Sequence, residues 1–421
     1  MLRRFPPGTA LLPWIGLPVA ARLSRREPRL PFTQQQDPEP VNQHVRLSSF
    51  YFFYFASIGA FMPYWGPYLS ALGFSGAQIG QLMAIILATK IIAPNVWGWL
   101  ADRTGVRMPI IRWGALAALL TFGGVLLHSG YWWLAAVMAV FSFFWNAILP
   151  QFEATTLRAL GRDSHRYALV RLWGSIGFIV AVAGLGWLLD KLALSWLPWI
   201  VLGILLVLYL VALRVREPPD GQPSGAGLIP LFSVLRRPEV IALLAACFFM
   251  QASHGPYYAF FTLYVEGQGF SRAVAGQLWA LGVAAEVALF LVMPRLILRF
   301  GAWPLVTLAL LLTTLRWWLL AAIPETLSAL IFIQLLHAAS YGVYHAAAIS
   351  LIHLYFPGRL QGRGQALYSS LSFGLGGAMG ALASGYLWDG VSPASVFVFA
   401  AVLAGLGVFV SVFGMLRNRI G

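Results

Sequence analysis

Twelve long apolar segments, joined by short polar turns, make up most of the chain and constrain its fold more than any other feature. A helix needs about 20 mainly apolar residues to cross the hydrocarbon core of a bilayer. Segments of this length therefore predict an all-helical integral membrane protein with twelve transmembrane helices. Composition agrees, because 10% of the residues are charged, against about 25% in average soluble domains. The predicted spans are residues 47–71, 77–99, 109–128, 131–157, 166–189, 194–213, 239–265, 271–299, 303–323, 326–354, 363–388 and 391–416.

The net charge of +14 is distributed unevenly between the loops. When the loops after residue 40 are assigned alternately to the two sides of the membrane, nearly all the arginines fall on one side. Only Lys191 and Arg272 fall on the other. This bias follows the positive-inside rule and predicts that both termini are cytoplasmic. The charge therefore indicates the topology of a multi-pass membrane protein and gives no reason to expect a nucleic-acid partner.

One long polar break divides the spans into two sets of six. We interpret residues 214–238 as a cytoplasmic linker between an N-terminal six-helix bundle at 41–213 and a C-terminal six-helix bundle at 239–421. Residues 1–40 differ from the rest, being rich in proline and arginine. They are interpreted either as a disordered extension or as the result of a misassigned start codon.

The two halves repeat each other. Residues 73–75, Gly-Phe-Ser, recur as residues 269–271, and Asp190 after the fifth span corresponds to Asp389 after the eleventh. A duplicated six-helix unit predicts two related bundles with a substrate site between them near the membrane midplane.

The segment from Gly98 to Arg107 joins the second and third spans as a short charged turn. Gly98 and Gly105 allow a tight turn, and Arg103 and Arg107 favour the cytoplasmic side. Asp102 is expected to accept hydrogen bonds from a neighbouring helix N-terminus. This ordered set resembles the helix 2–3 loop signature of the major facilitator superfamily of transporters. The resemblance implies a two-bundle transporter fold in which this loop takes part in conformational change.

Charged side chains inside the predicted spans are the main candidates for a functional site, because each costs about 2.5–3.5 kcal/mol at mid-bilayer without a partner. The first half has Lys90 in helix 2, Glu153 in helix 4 and Arg171 in helix 5. Glu153 and Arg171 fall at similar depth on consecutive helices and are expected to pair. The pair would either close an inner gate or bind substrate.

Glu286 is the only carboxylate well inside the second half, and apolar residues surround it. It is expected to act as a proton carrier or substrate ligand, or else as a static partner for Arg316 in helix 9.

On helix 10, His337, Tyr341, Tyr344 and His345 have a spacing that places them on one helix face. That face is either a polar seam between helices or a cavity wall whose histidines relay protons. No metal site is expected, because no carboxylate or cysteine accompanies the histidines.

The arrangement of these charges resembles the lactose permease branch of proton symporters. That branch has an acid in helix 4, an arginine in helix 5, an acid in helix 8, an arginine in helix 9 and a histidine in helix 10. An acid that follows the helix 10 histidine in the branch is absent here, so its proton route does not transfer directly. The matching residues are Glu153, Arg171, Glu286, Arg316 and His337.

A closer resemblance, to the phenylpropionate permease family, runs from residue 47 through 63–69, 78–80, 90–98 and 365–370. It implies proton-coupled uptake of a small aromatic carboxylate. Lys90 or Arg171 would hold the carboxylate, and Glu286, Arg316 and His337 would couple proton occupancy to transport. The substrate-binding set is expected to be Lys90, Glu153, Arg171, Tyr64, Trp65 and Tyr341.

The sequence offers little for other kinds of function. It has no phosphate-binding glycine loop, so ATP-driven transport is not expected, and no paired nucleophile and base or metal set of an enzyme. A proton gradient takes the place of a cofactor, and we expect a functional monomer in the lipid bilayer. The alternatives are a proton-coupled sugar or nucleoside symporter and an efflux transporter.

Overall fold

The computed structural model describes residues 40–217 and 231–418. These residues form helices and turns, and twelve of the helices are long and apolar enough to cross a membrane, as predicted. The interpretation of residues 1–39 and of most of the linker concerns residues outside the described part. We number the spans α1 Gln43–Ala71, α2 Gly76–Thr104, α3 Met108–Leu126, α4 Tyr131–Leu160, α5 Tyr167–Leu189, α6 Leu194–Arg214, α7 Pro238–Gly267, α8 Arg272–Phe290, α9 Ala302–Ala322, α10 Leu327–Tyr355, α11 Gln361–Gly390 and α12 Pro393–Arg417.

The helices form two bundles, α1–α6 and α7–α12, which meet mainly through α2 with α11 and through α5 with α8. One prediction of a single span is wrong. The expected helix at 271–299 ends at Phe290, and a separate short helix, Met293–Phe300, follows it. Pro294 lies in the first turn of the short helix. Proline is tolerated there because the backbone N–H groups of a first turn have no helical partner. In the interior of one continuous helix it would remove a hydrogen bond and interrupt the helix.

The repeated Gly-Phe-Ser motif starts the second helix of each bundle. Gly73 and Gly269 both have φ of +88°, which lets the chain turn sharply into the helix. The Ser75 hydroxyl then accepts from the backbone N–H of Gln78 at 3.2 Å, and Ser271 caps α8 in the same way. The motif is repeated because it is the N-terminal cap of equivalent helices.

The repeated aspartates join the bundles. The Asp389 carboxylate, in the last turn of α11, accepts hydrogen bonds from the first two backbone N–H groups of α2 at 2.9 and 2.8 Å. The Asp190 carboxylate, after α5, accepts hydrogen bonds from the first two backbone N–H groups of α8 at 2.8 and 3.2 Å. A carboxylate is favourable at a helix N-terminus because that end carries unpaired N–H groups and the positive end of the helix dipole. Each bundle thus caps a helix of the other, at the end we call the aspartate end.

Close backbone packing accompanies these caps. A Cβ atom on Gly186 of α5 would lie 2.6 Å from the carbonyl oxygen of Arg272, and one on Gly385 of α11 would lie 2.4 Å from that of Gly76. Only glycine permits this approach. The bundles are therefore in tight contact at the aspartate end. The opposite end, where α6 and α12 finish at Arg214 and Arg417, we call the arginine-rich end.

Two helices contain a π-helical segment, Ala338–Val343 in α10 and Ser370–Gly376 in α11. Such segments insert an extra residue per turn and occur frequently at functional sites. Both lie in the middle of a span, beside the charged residues described next.

Candidate functional site

The loop after α2 is held by its own arginine. The backbone N–H of Gly105, at φ of 77°, bonds to the carbonyl of Ala101 and ends the helix. The Arg107 guanidinium donates to Asp102 at 2.8 Å and to Gln151 of α4 at 2.5 Å. The loop therefore fixes the end of α2 against α4.

Asp102 does not cap a helix in this structure. It pairs with Arg107, and the N-terminus of α3 is capped by Glu217, which follows α6. The Glu217 carboxylate accepts from the backbone N–H of Arg107 at 3.1 Å and of Met108 at 2.5 Å. Sequence reasoning missed Glu217 because it lies 110 positions from Arg107. Burial, with a contribution from Arg158, lowers the pKa of Arg107.

Glu153 and Arg171 lie together near the arginine-rich end. The shortest distance between the guanidinium and the carboxylate is 3.9 Å, and the side chains keep 39% and 31% of their surface exposed for Glu153 and Arg171 respectively. The Arg171 guanidinium also stacks 3.9 Å above the Phe55 ring. The pair is loose and open to solvent, so Arg171 retains donors for another anion.

Arg171 also faces the second bundle. It lies within electrostatic range of Glu286 on α8 and of Tyr341 and His345 on α10. These groups therefore lie in one region between the two bundles, where the side chains of Arg171 and Glu286 keep 31% and 14% of their surface exposed. We call this the central space. The structure thus brings together Glu153, Arg171, Glu286 and Tyr341 from four helices.

Lys90 is the third cation of the predicted set. It lies half-buried in the middle of α2 and forms no ion pair with any described carboxylate. Ile92 and Trp99, which are 58% and 61% exposed, mark the lipid face of α2, and Lys90 is about half a turn of the helix away from both. Its ammonium group therefore belongs to the protein interior.

Two predicted aromatic ligands do not reach the central space. Tyr64 is fully buried and its hydroxyl donates to the carbonyl of Val182 at 2.6 Å, beside the glycines of the aspartate end. Trp65 is fully buried and stacks on Tyr68 within the first bundle. We therefore remove Tyr64 and Trp65 from the candidate site. An aromatic motif in sequence does not say which side of its helix faces a partner helix.

Arg316 is fully buried in the second bundle. Both terminal nitrogens of its guanidinium are hydrogen-bonded, whereas its Nε has no hydrogen-bond partner among the described residues. Its guanidinium donates to Gln334 at 2.7 Å, to Ser340 at 2.9 Å and to His337 at 3.1 Å. It also lies 4.6 Å from the ring of Tyr257 and 4.1 Å from that of Trp317. Arg316 is thus a positioning residue and does not pair with Glu286. Gln334 and Ser340 were missed, although both lie one helical turn from His337.

The Arg316 bond fixes the tautomer of His337. An arginine can only donate, so Nδ1 of His337 must accept and its proton must be on Nε2. That Nε2 lies 3.8 Å from the Glu286 carboxylate. Because His337 cannot take a second proton without losing the Arg316 bond, it does not relay protons while that bond holds. Of the predicted proton-coupling residues, Glu286 therefore stays the candidate for the proton-accepting group.

The helix 10 residues form a stacked column. The rings of His337 and Tyr341 lie 5.8 Å apart, and those of Tyr341 and His345 lie 5.8 Å apart. His345 then hydrogen-bonds the Tyr368 hydroxyl of α11 at 3.0 Å. Tyr344 is instead fully buried. The column connects the Glu286 region with α11.

The sequence is similar to that of a known protein family over most of its length. The sequence model of the MFS_1 like family matches residues 44–399. The chain belongs to this family. It is therefore a secondary transporter of the major facilitator type and not an enzyme.

Curated relatives of this MFS_1-like transporter have different named substrates. The "Probable 3-phenylpropionic acid transporter" of Escherichia coli (strain K12) is 28% identical over 84% of this chain and 93% of its own length. The "Maltose permease" of Geobacillus stearothermophilus is 30% identical over 88% of this chain and 94% of its own. Among solved structures, the nucleoside transporter NupG superposes with a TM-score of 0.77 at 17% identity, over 90% of this chain and 99% of that one. At this level of sequence identity, the similarity to NupG shows a shared fold only.

Proposed function

We propose that the protein takes up a small aromatic carboxylate, such as 3-phenylpropionate, together with protons by alternating access. The observation that carries the proposal is that Lys90 has no ion-pair partner among the described carboxylates. Away from the ends of the spans, the cations Lys90, Arg171 and Arg316 outnumber the acids Glu153 and Glu286. An unpaired intramembrane charge is unfavourable unless a ligand or water satisfies it. An anionic substrate would supply the missing charge.

The surroundings of Arg171 support an aromatic substrate. Its guanidinium stacks on Phe55 at 3.9 Å and lies 5.7 Å from the Tyr51 ring, and Tyr341 faces the same central space. A carboxylate that binds the guanidinium would bring an attached ring against these aromatic side chains, where edge or offset stacking is favourable.

Proton coupling follows from competition for Arg171. An ionised Glu286 is attracted to Arg171 across the central space. Protonation of Glu286 removes that attraction and leaves Arg171 free to bind the substrate carboxylate. Two states are then favoured. In one, Glu286 is protonated and the substrate is bound; in the other, Glu286 is ionised and the site is empty. Each state would allow the bundles to reorient. Arg316 and Gln334 hold His337 in the tautomer that faces Glu286.

The second candidate is a sugar, favoured by the similarity to the maltose permease. Glu153 and Arg171 would then accept from and donate to hydroxyl groups. The proposed orientation, with both termini in the cytoplasm of a bacterium, is supported by the arginines that collect at one end of the molecule.

Uptake of labelled 3-phenylpropionate into proteoliposomes, with and without an inward proton gradient, tests the proposal. We expect accumulation that requires the gradient and that excess unlabelled aromatic acid, but not maltose, abolishes. Competition by maltose with no effect of aromatic acids would replace the proposal by the sugar candidate. Export of 3-phenylpropionate in exchange for entering protons would contradict the proposed direction of transport.

A further inference from the structure

An apolar groove runs between α7 and α12 at the arginine-rich end, and none of the residues that define the central space lines it. Its volume is about 460 Å³, and every side chain that lines it is apolar. It exists because small residues of α7, Ala242 and Ala245, lie opposite two phenylalanines of α12, Phe409 and Phe413. The phenylalanines are 76% and 48% exposed, so the groove opens outward from the bundle.

The depth of the groove identifies what fills it. It begins at Pro238, the first residue of α7, and reaches Ala245, which is about 10 Å further along a helix that rises 1.5 Å per residue. In a helix that crosses a bilayer, this distance from the polar end corresponds to the outer part of the hydrocarbon layer. The medium there consists of lipid acyl chains, so the occupant of the groove is an acyl chain.

Positive charges surround the mouth of the groove. Arg237 immediately precedes Pro238, and Arg236 lies next to it. From the other helix, the Arg417 guanidinium lies 5.2 Å from the ring of Phe413, one of the lining residues. All three arginines are exposed and none forms an ion pair with a described carboxylate. Glu239 in the first turn of α7 offsets one of these charges.

We propose that this groove is a binding site for an anionic phospholipid. One acyl chain lies between Ala245 and Phe409, and the headgroup phosphate binds Arg237 and Arg417 at the mouth. Arginine suits this role because its planar guanidinium makes paired hydrogen bonds to phosphate oxygens. Basic sites between helices at the membrane surface select anionic headgroups in the same way. The lipid joins the first and last helices of the second bundle.

Native mass spectrometry of the purified full chain tests the site by titration with two lipids that have the same acyl chains. Phosphatidylglycerol carries a net negative charge and phosphatidylethanolamine does not. We expect phosphatidylglycerol to bind at least about tenfold more tightly, since each arginine near the headgroup contributes to its attraction. Glycerol phosphate, which has the charge but no acyl chain, should not bind measurably. Equal binding of the two lipids would overturn the proposal.

Variants separate the two parts of the site. Arg237→Gln with Arg417→Gln should reduce phosphatidylglycerol binding to the level of phosphatidylethanolamine. The matched control is Arg214→Gln with Arg216→Gln, which removes the same charge at the same end but beside α6, and it should leave the selectivity unchanged. Ala245→Phe, which fills the groove, should weaken binding of both lipids. An equal loss of selectivity in the control pair would mean general surface attraction and would contradict a site.

Discussion

The paired caps at the aspartate end should control which end of the transporter is open. We consider the double substitution Asp190→Asn with Asp389→Asn. Each asparagine keeps one acceptor oxygen but loses the charge that interacts with the N-terminus of α8 or α2. That interaction is worth about 1 kcal/mol for a charge at a helix end. Opening the aspartate end breaks both caps completely, so the full interaction counts toward the conformational equilibrium.

The two caps involve different helix pairs and are treated as additive, which gives about 2 kcal/mol. Since 1.4 kcal/mol corresponds to a factor of ten, the double variant should favour opening of the aspartate end by about 30-fold. By the same reasoning, each single variant should shift the conformational equilibrium toward opening of the aspartate end by roughly fivefold.

Double electron–electron resonance can measure this shift. Spin labels on His128→Cys and Glu325→Cys, which are exposed positions in the α3–α4 and α9–α10 loops, report the separation of the bundles at the aspartate end. The native Cys247 is fully buried and is replaced by alanine. We expect a longer-distance population to grow in the double variant and not in Asp163→Asn, an exposed acid between α4 and α5. An unchanged distance distribution would refute the role of the caps.

Three further predictions concern the site and its supports. Lys90→Met should raise the KM for uptake of an aromatic acid at least about tenfold, because loss of the cation leaves the substrate carboxylate without its partner. Lys90→Arg, which keeps the charge, should retain uptake. Equal KM values for Lys90→Met and the unsubstituted protein in initial-rate uptake would remove Lys90 from the site. Gln334→Leu should destabilise the protein by about 1.5–3 kcal/mol, because the fully buried guanidinium of Arg316 loses a charge-assisted acceptor. Thermal unfolding should then show a lower midpoint. The control Gln365→Leu, at an exposed position, should leave the midpoint unchanged. Glu217→Ala should lower the midpoint by the equivalent of about 1 kcal/mol through loss of the α3 cap, and an unchanged midpoint would mean that other groups satisfy those N–H donors.

The overall architecture could be predicted from sequence because it depends on local and repeated patterns. Apolar length defined the spans, and the recurrence of residues 73–75 at 269–271 indicated two related bundles. The structure explains that recurrence through helix caps at Ser75 and Ser271. Asp190 and Asp389 were recognised as corresponding residues, but their contacts across the bundles are long-range and have no local signature.

The candidate site was only partly predictable, for geometric reasons. Helical spacing correctly placed His337, Tyr341 and His345 on one face, although a π-helical segment lies within that stretch. Spacing cannot say which neighbouring helix a face meets, so Tyr64 and Trp65 were assigned to the site although they are packed in tight interfaces. Of the alternatives considered for Glu286, a static pair with Arg316 is not formed, because Gln334, His337 and Ser340 of α10 bind the guanidinium instead.

Proton movement that accompanies substrate entry tests the central claim most directly. Proteoliposomes without an imposed gradient are placed in weakly buffered medium, and the external pH is recorded when 3-phenylpropionate is added. The account predicts alkalinisation of the medium with the unsubstituted protein and none with Glu286→Gln, which should still exchange labelled for unlabelled 3-phenylpropionate. Substrate entry without any pH change, or alkalinisation that persists in Glu286→Gln, would contradict proton coupling through Glu286.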